Sequence, residues 1–122
     1  MLRMFLISLI VWTSVSAAPV FYDFQPTQRE CEEATDFIRN AALSRNNGYT
    51  KKKIVGLFDD NVTVLSSMDP EKRWFVRSPG ATRFLRDALV IVFDAPRRPG
   101  EHAAHFLESC LDHARGITPA DL

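Results

Sequence analysis

Four side chains near the end of the chain have the types and spacing of a metal site. His102, His105, Glu108 and Asp112 recur at steps of three and four residues. On a helix they would share one face, and imidazole nitrogens with carboxylate oxygens are ligands for a divalent transition metal. The commoner origin of such spacing is a solvated polar face, and no second element offers a ligand that completes the shell. A metal-binding protein or minor hydrolase built on His102, His105 and Glu108 is therefore an alternative reading, and His113 stands apart from it.

Other catalytic arrangements lack their parts. No Gly-x-Ser-x-Gly elbow occurs, the glycines form no phosphate-cradling pattern, and the adjacent acids Glu32-Glu33 and Asp59-Asp60 point to different sides of a helix. The sequence assigns no catalytic residue and no cofactor, so it reads as a non-enzyme. Lys and Arg total 15 against 15 Asp and Glu. That balance excludes a dedicated nucleic-acid binder, which needs an excess of positive charge on one surface.

With 122 residues, 46% of them hydrophobic, the chain has room for one compact domain with a small core. Residues 1–17 read as a signal peptide. Arg3 supplies the positive start, Met4 to Trp12 an apolar run, and Val15-Ser16-Ala17 the small residues of a cleavage site. A membrane anchor would need about 20 apolar residues, more than this run holds. The chain then reads as exported to the periplasm or secreted, with no stable membrane insertion after cleavage.

Export changes the reading of the cysteines. In an oxidising compartment Cys31 and Cys110 have no other partner in the chain, so one disulfide between them is the economical assignment. Buried free thiols or an intermolecular bond remain the alternatives. Two cysteines without paired ligand spacing do not make a zinc site.

The rest of the sequence punctuates itself into helices. Thr27-Gln28-Arg29-Glu30 fits a capping box. Cys31, Ala34, Ile38, Ala41 and Ala42 then form an apolar stripe, and Asn46-Asn47-Gly48 a left-handed stop. Thr50 caps a second helix with Ile54, Leu57, Phe58, Val62 and Leu65 on its inner face, although Lys51, Lys52 and Lys53 oppose its dipole. Pro70 opens a short turn or loop leading to Trp74, Phe75 and Val76. Ser78-Pro79 starts a third helix, whose stripe runs through Ala81, Phe84, Leu85, Ala88, Leu89, Val92 and Phe93. The stretch from Leu89 to Phe93 is apolar all round, which suits a central helix, a partner-covered helix or a buried strand. Pro99 starts the last helix, with Ala103, Phe106, Leu107, Cys110, Leu111 and Ala114 inward and Gly116 as its stop. The cysteines thus fall on the apolar faces of the first and last helices. The predicted fold is all-α, a small four-helix bundle-like domain, divided as signal peptide 1–17, arm 18–26, helical domain 27–116 and tail 117–122.

Aromatics supply the candidate contacts. Trp74, Phe75 and Val76 cannot all face one interior, and the girdle at Val90 and Ile91 exceeds what a four-helix core hides, so Trp74, Phe75, Val90 and Ile91 are candidate interaction residues. Their plainer role is to close the open end of the bundle. Phe21, Tyr22 and Phe24 carry the same ambiguity. Lys51 to Lys53 suit an acidic partner or simple solvation. Asn61-Val62-Thr63 is a glycan acceptor only in a glycosylating host.

The exported start, Cys31 on a helix running into Ala42-Leu43-Ser44-Arg45-Asn46-Asn47-Gly48-Tyr49-Thr50-Lys51, and Val92-Phe93-Asp94-Ala95-Pro96 ahead of Pro99 and Cys110 together resemble a loose group of small exported bacterial proteins. In that group an Arg-Asp/Asn-x-Gly turn follows the first Cys helix, and an aromatic-x-x-Pro break precedes the helix with the second Cys. This chain has Asn46 where Asp is common and Arg98 where a small capping residue is common. The resemblance implies a helical, disulfide-pinned envelope protein and no catalysis. Function is accordingly expected to be protein interaction or structure, through a protein partner and not nucleic acid. A periplasmic chaperone or toxin-neutralising protein is one alternative, and the metal-binding reading the other.

Overall fold

The structure is a computed structural model, and it describes residues 22–69 and 73–116. The predicted leader, Phe21, the turn opened by Pro70 and the tail lie outside the described residues. Within them are four α-helices, α1 (Gln28–Asn46), α2 (Lys51–Ser66), α3 (Pro79–Asp94) and α4 (Pro99–Ala114), with a 3₁₀ turn at Trp74–Val76 and no strand.

Local chemistry sets the boundaries. The Thr27 hydroxyl accepts the Glu30 amide at 3.2 Å while the Glu30 carboxylate accepts the Thr27 amide at 3.1 Å, closing the capping box at the head of α1. Thr50 and Ser78 cap α2 and α3 in the same way, each at 3.2 Å. Pro79 and Pro99 occupy the first helical positions of α3 and α4, where a missing N–H costs nothing. Gly48 (φ +93°) and Gly116 (φ +75°) turn the chain out of α1 and α4 through the left-handed region.

All four helices contribute to the core, α2 through Val55 and Phe58. α1 lies against α4 and α3, and α2 rests on α3 and the 3₁₀ turn. Lys51 pairs with Asp94 and Asp59 with Arg86, so α2 runs antiparallel to α3. Cys31 near the start of α1 is bonded to Cys110 near the end of α4, so the first and last helices are also antiparallel and are joined by a disulfide across 79 residues. Both cysteines are fully buried, as are Ile38, Phe75, Phe84, Leu85, Leu89 and Val92 of the same core. Rings dominate the centre, Phe84 meeting Phe24, Phe75 and Phe106 at centroid distances of 5.0, 6.2 and 5.3 Å.

The predicted stripes of α1 and α3 are buried, apart from Phe93, which is half-buried. The stretch from Leu89 to Phe93 is helix, with Leu89 and Val92 inside and Val90 and Ile91 half-buried. Two expectations change. In α2 only Val55 and Phe58 are fully covered, and Leu57 faces out. The helix has a helical neighbour along one side, so its buried arc is narrow. In α4 the inner face also takes in His102, Ser109 and His113.

The arm ahead of α1 is held against the bundle. The Tyr22 hydroxyl donates to Asp87 Oδ2 at 2.7 Å, and Arg83 sits 5.6 Å over its ring. Gln25 Nε2 donates to the Ala114 carbonyl at 3.2 Å. Where the arm crosses the head of α3, Gly80 faces the Asp23 backbone, and a Cβ there would collide with the Asp23 carbonyl.

Candidate interaction surface

Trp74 carries the surface that most resembles an anchor. It has φ +52°, the left-handed region that a bulky side chain enters only under constraint, at a cost of about 1–3 kcal/mol. Its backbone is held by neighbours on both sides. Arg73 Nε donates to the Met68 carbonyl at 2.8 Å, while Phe75 and Val76 are buried against the core. The indole N–H donates to Glu33 Oε2 at 2.7 Å, and the ring packs edge-on to Phe37 at 6.4 Å. The indole is half-buried, one side on the bundle and one toward solvent.

The other aromatic and apolar candidates divide. Phe75 is 1% exposed and belongs to the core, so it offers no side-chain surface to a partner. Val90 and Ile91 are half-buried on α3. Tyr22 is a core residue, and Phe24 stacks on His113 at 4.7 Å. The bundle thus brings Trp74 to the surface beside Phe37 and Glu33, and holds Val90 and Ile91 on a different element.

The expected metal face on α4 does not form as a solvated face. His102 is 4% exposed, and its Nε2 accepts the Arg97 amide at 2.8 Å while Arg45 Nη1 lies 3.2 Å away. His105 and Glu108 point outward. Among the described residues no three His, Cys, Asp or Glu side chains come together to hold a metal ion. A buried imidazole that already accepts a backbone amide is a structural group. Burial first, then the Arg45 and Arg97 charges, lower its proton affinity below the usual imidazole value.

Arg45 organises this corner, a role that its place in the last turn of α1 does not reveal. Nη1 donates to the Val92 carbonyl at 2.6 Å and Nη2 to the Arg97 carbonyl at 2.7 Å, so one guanidinium ties the end of α1 to the end of α3 and the loop into α4. The Arg-Asn-x-Gly turn and the Phe-x-x-Pro break, distant in sequence, therefore meet through Arg45.

Two further features involve titratable side chains. Glu30, side chain 13% exposed, pairs with Arg77 at 2.6 Å on the wall of a cleft of ≈ 200 Å³ that also includes Asp23, Phe24 and Ala81. His113 is buried among Tyr22, Phe24 and Phe84. Its Nδ1–H donates to the Ser109 carbonyl at 3.0 Å, and Nε2 has no hydrogen-bond partner among the described residues. Among the described residues no helix is long and apolar enough to cross a membrane. Comparison of the chain with protein-family models, curated proteins and solved structures finds no match.

Proposed function

We propose that this protein is a non-catalytic interaction module of the bacterial envelope, exported by its leader and locked by its disulfide, with Trp74 as the anchor for a protein partner. One observation carries the reading. A tryptophan is kept at the surface by a strained backbone and by a hydrogen bond from its indole to Glu33, an arrangement that core closure alone does not need. Large aromatics preset in one rotamer lose little entropy on binding and dominate interface energetics. The buried cross-link between α1 and α4 suits an oxidising compartment.

The test is capture from envelope extracts with wild-type bait and with Trp74→Ala, each checked for an intact fold. The proposal expects at least one partner lost with the indole. Identical partner sets would remove Trp74 as the anchor.

A further inference from the structure

We propose that the outer flank of α2 is a self-association surface, on which two copies of this chain pair antiparallel. This goes beyond the Trp74 reading and does not depend on it, because the residues concerned lie on a different element.

α2 exposes more apolar surface than its position requires. Leu57 and Val64 are 46% and 57% exposed, and Met68, just past the helix end, is 41% exposed, while the helix buries only Val55 and Phe58. Leu57, Asn61 and Val64 follow one another at intervals of four and three residues, the spacing of a helix-pairing seam, and Met68 extends the row into the turn after the helix. At about 1.5 Å per residue the helical part of the seam, from Leu57 to Val64, is about 10 Å long. A polar Asn within such a seam is the type of residue that selects one register.

The charges indicate what covers the seam and in which direction. α2 carries Lys51, Lys52 and Lys53 at its positive end, with no acid in the first turn and no base in the last. The lysines are unfavourable there for an isolated helix, and no acid at the first turn or base at the last offsets them. Lys51 is relieved by Asp94; Lys52 and Lys53 are exposed and form no ion pair among the described residues. Asp69 lies exposed just past the other end. A second copy laid antiparallel along the seam brings its last turn and Asp69 to Lys53, and by two-fold symmetry the reverse contact forms at the far end. A parallel pair would instead set Lys53 against Lys53.

The area is modest. One helix flank falls short of the about 800 Å² per partner of a standard interface, so the pair forms in the micromolar range or weaker, at about 10 µM to 1 mM protein.

Sedimentation velocity of the oxidised protein across that range tests the idea. The expected result is a concentration-dependent shift from monomer to dimer. Leu57→Glu, at an exposed position where helical content is checked by circular dichroism, should weaken it about tenfold or more. Lys53→Glu and Asp69→Lys should each weaken the dimer, and the two together in one chain should restore it, since the swap rebuilds the antiparallel pairs and would leave a parallel dimer repelled. A chain that stays monomeric at about 1 mM overturns the proposal and leaves the seam to a different partner. So does a dimer unaffected by Leu57→Glu, or a double variant no better than the singles.

Discussion

Arg45 and His102 face one another with the guanidinium Nη1 3.2 Å from the imidazole Nε2, and that same nitrogen accepts the Arg97 amide at 2.8 Å. An imidazole that accepts through Nε2 beside a guanidinium must be neutral. The helix ends gathered by Arg45 therefore depend on a proton staying off His102.

The first prediction follows from that proton. The folded-state pKa of His102 is lowered, so its contribution to stability is fully present above the unfolded value of about 6.5 and is lost as pH falls toward the lower folded value. His102→Gln places an amide oxygen near Nε2 and does not titrate. Urea denaturation between about pH 4 and 7 should show a shallower acid decline in the variant than in the parent. An unchanged decline would assign it to the carboxylates alone.

Removing the cross-link should be costly. Cys31→Ser with Cys110→Ser frees a loop of 79 residues, a loss of about 4 to 5 kcal/mol on the chain-entropy model. That is a large part of the stability of a small domain. Chemical denaturation of the double variant against the oxidised parent measures it, and a loss under about 1 kcal/mol would mean that the reduced ensemble is already compact.

Gly80 tests the docking of the arm. Gly80→Ala places a methyl group against the Asp23 carbonyl, and overpacking of this kind costs about 1–3 kcal/mol. The arm is expected to lift, taking the Tyr22–Asp87 bond with it. Combining Gly80→Ala with Tyr22→Phe should then cost less than the two losses added together.

Trp74 allows strain to be separated from contact. Trp74→Ala removes the ring and keeps a side chain at φ +52°, whereas Trp74→Gly removes the ring and the strain. The glycine variant should be the more stable by about 1 kcal/mol, the reverse of the usual order of these residues. Equal stability would mean that the backbone relaxes once the indole is gone.

Much of this architecture was legible in the sequence because it rests on local chemistry. The capping box at Thr27 and Glu30, the prolines at 79 and 99, and the stripes from Cys31 to Ala42 and Ala81 to Val92 are all written in short spacings. What was not legible depends on who the neighbours are. Arg45 reads only as the basic residue of the turn after the first Cys helix, because nothing in a sequence indicates that the Val92 and Arg97 carbonyls end within its reach. His102 groups with His105 by a three-residue step. Its steps of four to Phe106 and eight to Cys110 place it on the buried stripe, and that signal was present. Leu57 reads as inward because its spacing with Ile54 and Phe58 implies a wider buried arc than one packed side provides. For the candidate site, apolar character singled out Trp74 and Phe75 together. Only the chain's path through the 3₁₀ turn separates the surface ring from the core ring.

The most direct test of the account is the intact mass of the protein recovered from the bacterial envelope under non-reducing, alkylating conditions. The account predicts a chain beginning at Ala18, lacking the mass of two hydrogens and unlabelled until reduction, with a peptide linking Cys31 to Cys110. A chain still beginning at Met1 with both cysteines alkylated would contradict the compartment and the cross-linked bundle together.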